Sequence, residues 1–246
     1  MANVGFSMNG GTDIAKAASD IVLMDNNFVS VVEAVMWGRN VNDNIKKFIQ
    51  FQVTVNIVGV ALTFLGAAFD PANESPTSPV QLLWLTFIMD TLAALALATE
   101  QPDEKTLLAR QPVPKDAPLI TTRMWINVIT HAVFQLILLT NLLNYGHLLL
   151  RTEHKSLRHM TVYFNTFIFL QVWNEFSARK LYGETNVFEG FLEKSKPHLY
   201  VTVVMVLFQM LAVECGGEFM QTTPLSLSTG SSLSALGPLP PLRICH

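Results

Sequence analysis

The sequence predicts a mostly α-helical, polytopic membrane bundle of about five spans, preceded by a remnant of an α/β domain. Composition is the first observation. Half of the 246 residues are hydrophobic and only 14% are charged, against about 25% in an ordinary soluble domain. Mean hydropathy is +0.35. Distribution is the second. A membrane helix needs about 20 apolar residues, and five stretches near that length carry at most one Lys, Arg, Asp or Glu. These features argue against a water-soluble globular enzyme and against a disordered chain, which needs low hydrophobicity and high charge. A net charge of −3 offers no basic field for nucleic acid. Two cysteines, Cys215 and Cys245, are too few for a disulfide framework.

Residues 1–28 cannot bury a core of their own. Val4–Met8 reads as a short strand and Asn9-Gly10-Gly11-Thr12 as a turn. Thr12 or Asp13 is placed to cap a helix over Asp13–Ala18, and Ile21–Met24 reads as a second strand. Together they look like the last edge of an α/β domain. From Phe28 to Lys47 the apolar residues Val29, Val32, Ala34, Val35, Val41 and Ile45 recur with helical period. No Gly or Pro separates this stretch from the apolar run after it. One long helix is therefore expected, with 29–47 as a cytoplasmic stalk that couples a soluble domain to the membrane.

The five expected spans are 48–69, 79–99, 124–150, 159–176 and 197–213, the last two being short. Segments on the amino-terminal side of the membrane hold twelve of the sixteen Lys and Arg, so that side is expected to be cytoplasmic by the positive-inside rule. No signal-peptide pattern opens the sequence. Asn73-Glu74-Ser75 is a glycosylation sequon too close to the membrane to be a good acceptor. The tail, 222–246, is dominated by Ser, Leu, Gly and Pro and reads as disordered.

An ionisable group inside a span is costly and marks a transport path or a paired structural site. Asp90 sits in the middle of LWLTFIMDTLAALALAT. Thr86 lies four residues earlier on the same helical face, with Thr91 adjacent. Asn56 is the polar residue of FQVTVNIVGV. A carboxylate, an amide and a hydroxyl offer the hard oxygens that suit calcium, although calcium takes 6–8 of them. Helix–helix hydrogen bonding is the plainer reading for Asn56 and Thr86. Gln171, Asn174 and Glu175 share a face of the fourth span. Glu175 precedes Arg179 by four residues, which suits an interfacial ion pair. His131 reads as a packing histidine, and Cys215 has no metal partners nearby.

Two long strings, SDIVLMDNNFVSVVEAVMWGRNVNDNIKKFIQFQVTVN and LLWLTFIMDTLAALALATEQP, closely resemble the plasma-membrane, calmodulin-regulated type of calcium-transporting P-type ATPase. A third, FNTFIFLQVWNEFSARKLYGETNVFEGF, is similar to the eighth membrane helix of that family and the loop behind it. The resemblance covers roughly residues 3–225. It implies that residues 1–28 end the phosphorylation domain and that the spans correspond to membrane helices five to nine. Asp90 falls on the ligating aspartate of helix six, and Asn56 matches the helix-five asparagine. Thr86 stands where the family usually has a ligating asparagine, so a hydroxyl replaces an amide oxygen. Gly59 and Gln171 stand where two-site pumps of the endoplasmic reticulum carry glutamates.

The DKTGT and GDGVND motifs of such pumps are not in this sequence. The resemblance thus implies the carboxyl-terminal transport part of a calcium pump, with ATP and magnesium acting only in the complete pump and this chain inactive alone as an ATPase. Membrane lipid and calcium are the implied partners, and the plasma membrane the implied location, with other calcium-storing membranes the alternative. A second hypothesis is a truncated, non-catalytic membrane protein that associates with or regulates full-length pump subunits. An unrelated channel or transporter would explain the spans but not the strings.

Overall fold

A computed structural model of the chain describes residues 4–69, 76–100, 102, 104–111, 113–114, 117–150, 152–179, 181 and 196–223. The sequon at Asn73, the loop 182–195 and the tail from 224 onward lie outside the described residues. The chain divides into two compact units, Met1–Asp43 with Gln101–Ala117, and Asn44–Glu100 with Pro118–His246.

In the first unit, strands β1 (Phe6–Met8) and β2 (Ile21–Leu23) pair in parallel, with Phe6 opposite Ile21. Helix α1 (Asp13–Ala17) connects them. Thr12 is its cap, the hydroxyl accepting from the Ala15 amide at 3.3 Å and satisfying one of the first-turn amides that no helical carbonyl reaches. The Asp20 carboxylate accepts from the Gly5 amide at 2.8 Å. Helix α2 (Val29–Phe69) begins in this unit. Its Arg39 donates to the carbonyls of Leu107 (2.6 Å) and Arg110 (3.1 Å), and Arg110 pairs with Asp43 at 2.6 Å.

The second unit is helical among the described residues. Besides the rest of α2 it holds α3 (Pro79–Trp84), a π-helical turn over Leu85–Met89, α4 (Asp90–Ala98), α6 (Thr122–Leu150), α7 (Leu157–Ala178), α8 (Lys196–Cys215) and the single turn α9 (Gly217–Met220). The short helix α5 (Glu104–Ala109) belongs to the first unit. Ser78 starts α3 with a reciprocal cap: its hydroxyl accepts from the Gln81 amide while the Gln81 side chain accepts from the Ser78 amide, and Pro79 fills the first helical position, where an amide would be orphaned.

Four helices among the described residues are long and apolar enough to cross a membrane: Val29–Gly66, Pro79–Ala98, Thr122–Leu148 and Lys196–Cys215. The stretch expected to be the fourth span falls in α7, which is long enough but not among these four. Its Asn165, Gln171, Asn174 and Glu175 lower its hydropathy. The reason is positional: α7 is the inner helix, buried on nearly every side, so it is solvated by other helices rather than by lipid. It packs against α6 and α8, and α8 packs in turn on α4. The core joins Phe51, Val55, Val58 and Leu62 of α2 to Met89, Ala93 and Leu97, with Tyr163, Phe164, Phe167 and Ile168 of α7 between the helices. The outward faces are apolar too: Val60, Phe64, Phe87, Ile129, Ile137, Leu207 and Leu211 are exposed. A helix that is apolar all round suits a surrounding of hydrocarbon.

Polar side chains tie the inner helix to its neighbours. Gln171 donates to Gln135 of α6 at 2.9 Å, Asn174 to the Phe51 carbonyl of α2 at 3.4 Å, and Gln209 of α8 to Asn165 at 3.2 Å. Trp84 of α3 donates to Gln209 at 3.2 Å. Between helices in lipid such bonds act as glue, since lipid tails are as apolar as leucine.

Candidate functional site

Asp90 is the first residue of α4 and follows directly on the π-helical turn. A π-turn widens the helix by making i→i+5 bonds, and such turns concentrate at functional sites. The Asp90 side chain is half-buried, and Gln52 Nε2 of α2 donates to its Oδ2 at 2.8 Å. Asp90 Oδ1 and Gln52 Oε1 are buried and have no hydrogen-bond partner among the described residues. A buried oxygen without a donor is unfavourable unless something else satisfies it. Two such oxygens on hydrogen-bonded residues, one of them a carboxylate, suit a hard cation.

The other expected ligands sit differently. Thr86 is exposed, and its hydroxyl donates to the Leu82 carbonyl at 3.0 Å, which leaves its lone pairs as the available donor set. Asn56 is exposed on α2. The geometry therefore joins Asp90 to Gln52 directly, while Asn56 lies four residues beyond Gln52 and Thr86 four before Asp90. Gln52 was legible in the sequence by its spacing: it precedes Asn56 by one helical turn in FQVTVNIVGV and so shares its face. No three His, Cys, Asp or Glu side chains among the described residues converge as a metal site, so the oxygens here are one carboxylate with amides and a hydroxyl. Gly59 has open space where a Cβ would stand, so packing does not demand a glycine there.

A second polar cluster closes one end of the bundle. Glu100, just after α4, pairs with Lys47 of α2 at 2.7 Å and with Arg179 of α7 at 3.0 Å. Burial pushes the Glu100 carboxyl up, but Lys47 and Arg179 together outweigh it and hold the carboxyl below its ordinary value. Asn44 donates to the Ala98 carbonyl at 3.3 Å beside it. Arg179 makes its close contact with Glu100 while its charge also acts on Glu175, and Glu175 itself stands 3.5 Å from His198 of α8. His131 is partly buried on α6, and Cys215 is an exposed free thiol at the end of α8.

Apolar helices around a polar inner helix define a multi-pass integral membrane protein. The chain belongs to the family described as "Cation transporting ATPase, C-terminus", whose model matches residues 74–239. It is similar to plasma membrane calcium-transporting ATPase 3 of Homo sapiens, 47% identical over 236 residues, which are 92% of this chain and 19% of that protein. It is also similar to plasma membrane calcium-transporting ATPase 1 of Gallus gallus, 45% identical over 237 residues, 92% of this chain and 19% of that protein. Plasma membrane calcium-transporting ATPase 2 of Oreochromis mossambicus is 45% identical over 237 residues, 92% of this chain and 21% of its own length. The chain spans about a fifth of the length of these curated relatives.

Proposed function

We propose that this chain forms the carboxyl-terminal transport part of an ATP-driven calcium pump of the plasma membrane. Calcium is the transported ion, ATP and magnesium act in the catalytic part of the complete pump, and membrane lipid surrounds the helices. The observation that carries the reading is the Asp90–Gln52 contact with its two unsatisfied oxygens at the π-turn. Asp90 supplies the negative charge, Gln52 fixes its orientation, and Asn56 and Thr86 supply further oxygens along the path as the ion enters. A calcium ion needs 6–8 oxygens, so the remaining ligands come from backbone carbonyls, water and other parts of the pump. In this reading α7 is the fourth of five spans, the amino-terminal unit faces the cytoplasm, and residues 29–47 of α2 form the stalk that passes the catalytic cycle to Asp90.

The test is Asp90→Asn in the complete pump, assayed for calcium uptake into membrane vesicles. Removing the carboxylate leaves an isosteric side chain without charge, and transport is expected to fall at least about tenfold, since charged-group contacts are worth about 1.5–3 kcal/mol. Unchanged uptake by a variant expressed at normal levels would assign Asp90 a packing role and overturn the site.

A further inference from the structure

The amide side chains of α7 and its one carboxylate are placed differently. Asn165, Gln171 and Asn174 each bond a neighbouring helix. Glu175 is 0% exposed, and neither of its carboxyl oxygens has a hydrogen bond among the described residues. The group that faces it is His198 of α8, 1% exposed, with Nε2 3.5 Å from Glu175 Oε1. The imidazole is fixed from two other directions. It donates to the Ala96 backbone of α4, and it stands edge-on to Phe176 with ring centroids 5.4 Å apart.

A neutral imidazole has one N–H. With that N–H given to Ala96, the nitrogen toward Glu175 presents a lone pair. An ionised carboxylate presents only lone pairs as well. Two acceptors facing each other in a buried place leave both unsatisfied. One proton removes the conflict. It makes either O–H···N or O⁻···H–N⁺, and the pair is neutral overall in both forms. Arg179 acts on both members of the pair, and Glu100 and Lys47, which are bridged to it, act on His198. Two cations against one anion give these surroundings a net positive charge, which opposes protonation, so a single proton stays only because burial penalises a bare carboxylate, and a second is excluded.

We propose that Glu175 and His198 form a proton-binding site, separate from Asp90, that holds a single shared proton and so latches α7 to α8. The ligand is the proton itself, and the latch makes the packing of these two helices depend on pH. Glutamine at position 175 carries its own N–H and satisfies the imidazole without a proton. Glutamine at position 198 likewise donates to the carboxylate.

The experiment uses the full chain in lipid nanodiscs, with ¹³C-carboxyl glutamate and ¹⁵N-histidine, followed by magnetic resonance as pH is varied. Glu175→Gln and His198→Gln assign the two signals. The expected result is a carboxyl and an imidazole that share one proton at neutral pH and lose it in one coupled step. An ionised carboxylate beside a neutral imidazole at neutral pH overturns the proposal. The second measurement is unfolding in SDS against pH. Unfolded Glu and His release their protons near pH 4.3 and 6.5, so above about pH 6.5 the folded chain binds one proton more. The unfolding constant should then rise about tenfold per pH unit while the pair keeps its proton, and both glutamine variants should flatten that slope. Wild type and variants with the same slope would overturn the latch, and the resonance measurement on wild type stands if one variant fails to fold.

Discussion

Glu100 provides a sharp test of how the helical unit is held together. Its carboxylate bridges Lys47 and Arg179, whose side chains are only 13% and 3% exposed. Glu100→Gln keeps the size and removes the charge, leaving two half-sheltered cations without their shared anion. Removing one partner of a buried pair costs about 3–5 kcal/mol because the other charge stays buried. Glu100 itself keeps 18% exposure, so water screens part of the loss, and about 2–4 kcal/mol is expected. SDS unfolding of the reconstituted chain measures it. The acid limb adds a second check. The folded carboxyl lies below its ordinary 4.5, so its contribution is complete above that value and disappears as pH falls through the lower folded pKa. Wild type should therefore lose stability below about pH 4.5 more steeply than Glu100→Gln. Replacing all three residues by apolar ones of similar size should recover most of the loss, because the desolvation of the charges disappears with them. A Glu100→Gln variant within about 0.5 kcal/mol of wild type, with a parallel acid limb, would refute the reasoning.

Three further outcomes follow from the geometry. Gln52→Leu deletes the 2.8 Å bond to Asp90; under the proposed function, the calcium concentration for half-maximal transport by the complete pump should rise about tenfold or more, since hydrogen bonds to charged groups contribute about 1.5–3 kcal/mol, and an unchanged value would remove Gln52 from the proposed site. A Cβ on Gly146 would lie 2.9 Å from His159 Nε2 and 2.9 Å from Leu142 Cδ1. His159 is bonded to the Leu142 carbonyl, so Gly146→Val should destabilise the α6–α7 contact by about 1–3 kcal/mol in SDS unfolding, and a neutral effect would show that the helices can part there. The Gln171–Gln135 bond should give a coupling of only about 0.6 kcal/mol in a Gln→Leu double-mutant cycle, the usual size within membranes; a coupling above about 2 kcal/mol would mean that the polar seam is more than glue.

The fold was legible where chemistry is local. Charge-free runs of span length announce helices because an unsatisfied backbone cannot persist in hydrocarbon, and the uninterrupted pattern after Phe28 appears as the single helix Val29–Phe69. Thr12 as a cap needs only its own neighbours in sequence. The inner helix was harder to read. Sequence marks α7 as a short, impure apolar run, and nothing local says that its polar residues face other helices instead of lipid.

The site divides in the same way. A lone carboxylate in an apolar run singles out Asp90, because the cost of burying charge is a property of that run alone. Its partner is another matter. Gln52 and Asn56 are one turn apart on the same helix, and only the packing of α2 on the π-turn selects Gln52 as the donor to Asp90. The same holds for Arg179, which lies four residues from Glu175 in sequence but closes on Glu100. Hydropathy and charge, as properties of each segment, were enough to mark the apolar runs and the carboxylate within one of them. Which buried groups meet depended on packing, because hydrogen bonds and ion pairs form over about 3 Å and that distance is set by how helices far apart in sequence come together.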